Sequence, residues 1–311
     1  VIDNYGADAL RVYLLNSPVV RAETLRFEED GVQGVVRNVL LPWFNAFRFF
    51  VQCVERFEKT AGQRFVPSEE AALSSADELD VWINASLTGL IDYVHKEMKA
   101  YRLYTVVPRL VSFIEELCNW YVRLNRDRLK GSSGQQEAFI GLSVLYYVLM
   151  NMALIMCPLT PYFSEFLYQH LRKWCPLYGS SDSSVPEDAM GKAASVHYLM
   201  LPEVNASRLN ARAVARFKVL QTAVQLVRLA RERRSIRANY PLKEVVVVAA
   251  DADDVEALNY LKAQFMGEIN ARVSTVSADW ERMCTLRTQA NFARMGKRLG
   301  KSAKVVAKAI Q

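Results

Sequence analysis

The sequence predicts a mainly α-helical bundle followed by a small α/β extension, and three observations carry that prediction. Apolar residues recur at three- and four-residue spacing through roughly the first two hundred positions, the mark of helices buried on one face. A stretch rich in Ser, Gly, Asp and Pro, 176–195, closes that texture. Past it, the β-branched run Glu244 to Ala250 (EVVVVAA) signals a strand beside helical patterns. A chain of 311 residues has room for two ordinary domains. The pattern divides it into an opening segment 1–25, a helical bundle 26–205 and an extension 206–311.

The elements follow in order. Residues 4–16 read as a helix with Asn4 as its N-cap, stopping before Pro18. Residues 31–61 give a long helix that Pro42 should kink. A polar loop covers 62–76. Residues 78–102 form a helix with Leu79, Trp82, Ile83, Leu87, Leu90, Ile91 and Val94 on one stripe. Another helix covers about 106–130 and ends at Gly131. Residues 138–164 contain no charge, and about 20 apolar residues suffice to cross a bilayer. Ser143, Tyr146, Tyr147 and Asn151 interrupt the run, and no basic cluster leads into it, so it reads as a helix surrounded by other helices. Leu159–Trp174 is helical, and 196–201 reads as a short strand. After the basic helix 207–235 come the strand, a helix capped within Asp251–Asp254, a second strand at Arg272–Ser277 and a basic helical tail from about 288.

Charge is unevenly placed. Residues 207–243 hold ten Lys or Arg against one acid, Glu232, and 287–311 hold seven and no acid. The chain carries +6 in total, so the remainder is acidic, and the C-terminal third is suited to a polyanion. The five cysteines form no C-x-x-C pair, which fits a reducing compartment and predicts no structural zinc. His95, His170 and His197 are isolated, and no G-x-S-x-G, H-E-x-x-H or glycine-rich dinucleotide turn occurs. The chain reads as a binder, with no catalytic residue.

Three constellations suit a nucleic acid. On the 106–130 helix, Asn119, Arg123, Arg126 and Lys130 step by four, three and four beside the stripe Leu110, Phe113 or Ile114, Leu117, Tyr121 and Leu124. Such a row tracks phosphates or is simply a solvated face, and Trp120 either packs in the core or offers a face to an unstacked base. On the basic helix the stripe Phe217, Leu220, Val224 continues as Arg228 and Arg231, which therefore hold phosphates or buried carboxylates. Arg233, Arg234 and Arg237 face solvent. The tail carries Lys297, Arg298 and Lys301, but Gly296 and Gly300 enclose three residues where a phosphate loop needs four, so nucleotide binding is rejected.

Several of these segments resemble the isoleucyl-tRNA synthetases, a class I family. Residues 1–11 (VIDNYGADALR) are similar to the segment after the family's KMSKS loop. GVQGVVRNVLLPWFN (31–45), NWYVRLNRDRLKG (119–131), SVHYLMLP (195–202) and NFARMGKRLGK (291–301) resemble the eukaryotic cytoplasmic form. GADALR and WYVR are shared with the valyl and leucyl relatives. The resemblance covers essentially the whole chain and implies an anticodon-binding bundle of the class I type. Tyr5, Asp8 and Arg11 would then sit at the stem contact, and Trp120, Arg123, Arg126 and Arg128 in the tRNA-binding helix. Neither HIGH nor KMSKS occurs. The resemblance therefore implies that ATP with magnesium is used, and editing performed, in the catalytic and editing domains of a longer cytoplasmic protein. Its implied partners are tRNA(Ile), those domains and a multi-synthetase complex, with no membrane. A helical scaffold docking acidic proteins is the rival reading.

Overall fold

The computed structural model describes residues 1–249 and 251–277. The tail with Lys297, Arg298 and Lys301 lies outside the described residues. The chain separates into two compact units, Val1–Ala215 and Arg216–Gln311.

The first unit is helical. It opens with a single turn, α1 (Ile2–Tyr5), and Gly6, at φ 81°, separates this from α2 (Ala7–Leu15). Asn4 is therefore not the N-cap; a residue in the positive-φ region cannot continue a helix, so the chain restarts after it. Then come α3 (Glu29–Val35) and α4 (Leu41–Ala61), joined by a π turn at Val36–Leu40 in which Leu41 N–H reaches back five residues to the Val36 carbonyl. The disturbance expected at Pro42 thus lies just ahead of it. The proline ring collides with the carbonyl four residues earlier, that of Asn38, and the widened turn relieves the clash.

The segment 62–76 is not all loop. Ser68 Oγ accepts from Ala71 N–H at 3.1 Å and caps the short α5 (Glu69–Leu73). Asp77 caps α6 (Glu78–Lys99), whose predicted apolar stripe is buried throughout. The helix expected over 106–130 begins earlier and is broken. It comprises α7 (Leu103–Glu116), a π turn at Leu117–Val122 and, after a break at buried Asn125, α8 (Arg126–Leu129). The charge-free segment is α9 (Gln135–Met156), long and apolar enough to cross a membrane, with 78% of its most apolar window buried inside the protein. It packs against α4, α5, α6, α8 and α10 (Pro161–Leu171), which cover most of it. The core around it is aromatic: Phe50, Phe65, Phe57 and Phe139 meet with ring centroids about 6 Å apart. Residues 196–201 are not a strand. Val196–Tyr198 form a 3-10 turn, and Glu165 of α10 accepts from Val196 N–H and Ser195 Oγ, both at 2.9 Å, so the segment bonds to a helix instead of a sheet.

The second unit is built on α11 (Ala211–Arg233), which starts within the first, and a parallel pair of strands, β1 (Leu242–Val248) and β2 (Ala271–Ser277). Leu242 lies opposite Ala271 and Val248 opposite Ser277. The crossover between them is α12 (Ala252–Tyr260), capped by Asp251, and α13 (Lys262–Ile269). Parallel neighbours need such a crossover, and both helices pack on β2.

Candidate nucleic-acid interface

Two helix irregularities meet at one place. The π turn at 36–40 delivers the chain into Pro42, and the π turn at 117–122 contains Cys118, whose thiol donates to the Pro42 carbonyl at 3.3 Å. Between α4 and this second turn runs a groove of about 480 Å³ lined by Pro42, Asn45, Ala46, Arg48, Phe49, Gln52, Cys118, Asn119, Val122, Arg123 and Arg126. None of these is acidic. A π turn spreads side chains more widely than an α turn, and such turns are common at functional sites.

Asn119, Arg123 and Arg126, three of the four residues of the sequence-derived row, line this groove together, and all three are exposed. Arg126 lies over the Phe49 ring at 5.7 Å, a cation–π contact that leaves the ring half-buried. The fourth member, Lys130, stands beyond the break at Asn125 and outside the lining. Burial pushes the Cys53 thiol up to about 11, against the pull of Lys130, Arg56 and Arg126, so these cations gather about the same stretch of α4. Sequence reasoning missed Asn45, Arg48, Phe49 and Gln52. The signal was there: positions i, i+3, i+4 and i+7 make one helix face.

Other predicted residues are engaged elsewhere. Arg128 turns away from the groove into a buried network. Its Nη1 donates to Asp80 Oδ2 at 2.9 Å and its Nε to Glu137 Oε2 at 2.9 Å, with Asp77 at 3.6 Å. Asp80 is fully buried and also accepts from Tyr121 Oη at 2.7 Å and Ser75 Oγ at 2.6 Å. Burial raises the Asp80 pKa, and the Arg128 guanidinium is the largest influence holding it down. A guanidinium so placed is occupied by the fold, so Arg128 does not join the row. Trp120 is half-buried and lies outside the groove lining.

Asp8 and Arg11, three residues apart on α2, clasp the elbow between α9 and α10. Asp8 Oδ2 accepts from Phe163 N–H at 2.7 Å, satisfying the start of α10. Arg11 donates to the carbonyls of Leu159, at 3.1 Å, and Pro158, at 2.9 Å. Tyr5 stands beside Glu29; loss of water and then that carboxylate push its pKa up.

On α11, Arg231 is only 6% exposed and donates to four backbone carbonyls. They belong to Arg237 at 3.1 Å, Tyr240 at 2.9 Å, Ile269 at 2.7 Å and Asn270 at 3.2 Å. Its partners are thus neither phosphates nor carboxylates, because the α11 stripe runs past the core into the loop ends that start both strands. Arg228 pairs with Glu268 at 2.9 Å. Arg233, Arg234 and Arg237 are exposed, and Arg234 lines an apolar cleft against β1.

Comparison with known proteins bears on this geometry. The family described as the anticodon-binding domain of tRNA ligase matches residues 80–247. A probable cytoplasmic isoleucine–tRNA ligase of Dictyostelium discoideum is 44% identical over 96% of this chain, which spans 27% of that protein. The cytoplasmic isoleucine–tRNA ligases of Arabidopsis thaliana and Mus musculus are 43% and 42% identical over the whole chain, which spans 25% and 24% of them. The chain therefore spans about a quarter of the length of the curated relatives it matches.

Proposed function

The chain belongs to the anticodon-binding domain family of tRNA ligases, and from that premise we propose that it grips tRNA(Ile) for a cytoplasmic isoleucine–tRNA ligase. The observation that carries the proposal is the acid-free groove between α4 and the π turn at 117–122. Arg48, Arg123 and Arg126 supply the charge that holds phosphates, with Arg able to fork onto two oxygens. Phe49 gives a face on which an unpaired base stacks, and Asn45, Gln52 and Asn119 give amides that bond to base edges. No bond is made or broken here. Aminoacylation, with its ATP and magnesium, belongs in this reading to parts of such a ligase that carry the HIGH and KMSKS motifs, neither of which this sequence contains. The names of the relatives support a cytoplasmic setting.

The test is filter binding of tRNA(Ile) and tRNA(Val) across a salt series. The wild-type chain is expected to prefer tRNA(Ile), with affinity falling by about 0.7–0.9 logarithmic units per logarithm of salt for each phosphate neutralised. Arg123→Ala with Arg126→Ala should weaken binding and flatten that slope. Unchanged binding by the double variant removes the groove from the interface.

A further inference from the structure

The turn between α6 and α7 carries a residue whose placement the bundle does not explain. Tyr101 is 93% exposed, so its ring packs on almost nothing. Its backbone stands at φ 56°, in the left-handed region that β-carbons disfavour. The local hydrogen bonds show why the position is demanding. Arg102 N–H reaches the Glu97 carbonyl and Tyr101 N–H the Met98 carbonyl, each at 3.0 Å, which is the closing pattern of a helix whose left-handed residue is ordinarily glycine. Gly62, which ends α4 at φ 67°, shows the ordinary choice in the same molecule. At 101 the chain instead bears a large aromatic, takes the backbone cost and leaves the ring in water.

The surroundings say what the ring meets. Tyr104, three residues on, is 39% exposed, and Arg21 lies over its ring at 5.9 Å. Lys96, Lys99 and Arg102 are exposed at the same end of α6. Arg21, Lys96 and Arg102 pair locally with Glu23, Asp92 and Glu97, while Lys99 has no carboxylate partner among the described residues. Two exposed tyrosines among four cations match a strand that brings a π face and a phosphate together.

We propose that Tyr101 is a stacking platform for an unpaired RNA nucleobase, a contact separate from the groove of Arg48, Arg123 and Arg126. It rests on the tRNA-binding reading given above and adds a second place where the same RNA is held. Strain at an exposed aromatic is what a binding role leaves behind when stability alone would select glycine.

The experiment compares the wild-type chain with Tyr101→Gly and Tyr101→Trp, using a tRNA transcript and a fully paired RNA duplex as probes. Tyr101→Gly should raise the thermal midpoint by about 2 °C, because the turn relaxes. It should also weaken tRNA binding roughly 5- to 140-fold, the loss of one stacked base at about 1–3 kcal/mol. Tyr101→Trp should keep tRNA binding, and the duplex should bind all three proteins alike. A more stable Tyr101→Gly chain that binds tRNA as wild type overturns the proposal. If Tyr101→Gly binds normally while the Arg123→Ala, Arg126→Ala variant does not, the groove reading stands and this one falls. A wild-type chain that ignores tRNA defeats both.

Discussion

At the scale of single residues, the same side-chain type serves opposite ends depending on what lies opposite it. Arg123 and Arg128 are five positions apart, yet one lines an open groove and the other neutralises a buried carboxylate. Removing one partner of a buried pair leaves the other charged and dry, so Arg128→Ala should cost about 3–5 kcal/mol in denaturant unfolding. Arg123→Ala, at an exposed position, should stay within about 0.5 kcal/mol of wild type by the same measurement. Asp80 sets a pH signature as well. Its pKa is raised by burial, so the folded state holds this proton more readily than the unfolded chain. Its contribution therefore favours folding at acid pH and fades as pH climbs through the folded-state pKa. The stability difference between wild type and Asp80→Asn should accordingly change with pH above about 4, and a flat difference would remove Asp80 from the titrating set. Burial also pushes the Cys53 and Cys118 thiols up to about 11 and about 12. Both should resist alkylation at pH 8 in the native protein and react once it is unfolded, because only the thiolate attacks.

At the scale of elements, legibility tracked how local the governing force is. The α6 stripe and the all-round apolar character of α9 were plain in the sequence because they depend only on helical period and burial. The β1–β2 pair was visible as two β-branched runs, and the parallel pairing follows from the helices between them. What the 3.6-residue period concealed is the π turn at 117–122, since an inserted residue leaves the apolar spacing nearly intact. Its effect is nonetheless large: Asn119, Arg123 and Arg126 face α4 while Arg128 swings inward. Partners distant in sequence were also illegible. Nothing near Arg128 announces Asp80, 48 positions away, and nothing near Arg231 announces the Ile269 carbonyl. Asn45, Arg48 and Gln52 escaped notice because α4 declares itself by its apolar face. Arg231→Met should loosen the second unit by stranding four carbonyls, and hydrogen exchange at the starts of β1 and β2 is where this would be seen.

For the whole molecule, the charge map sharpens the meaning of the groove. Residues 1–215 hold 21 Lys or Arg against 24 Asp or Glu, whereas residues 216–311 hold 18 against 9. The groove is thus a local cationic strip on a unit that is acidic as a whole, so attraction there acts over short range and screening weakens it within about 8–10 Å. On the proposed reading, the basic second unit adds a broader, sequence-indifferent pull. Neutralising Arg233, Arg234 and Arg237 together should lower affinity for tRNA(Ile) and tRNA(Val) alike, whereas the groove variant should erode the preference between them; competition binding separates the two effects. The apolar enclosure of α9 has a consequence for the order in which the chain is made. A ribosome releases α4, α5, α6 and α8 before α9, so most of its cover is already waiting, and α10 starts after only four connecting residues. At about 5–20 residues per second the last side is sealed within a few seconds. A segment that could pass for a membrane anchor is thereby spared a long wait bare to water.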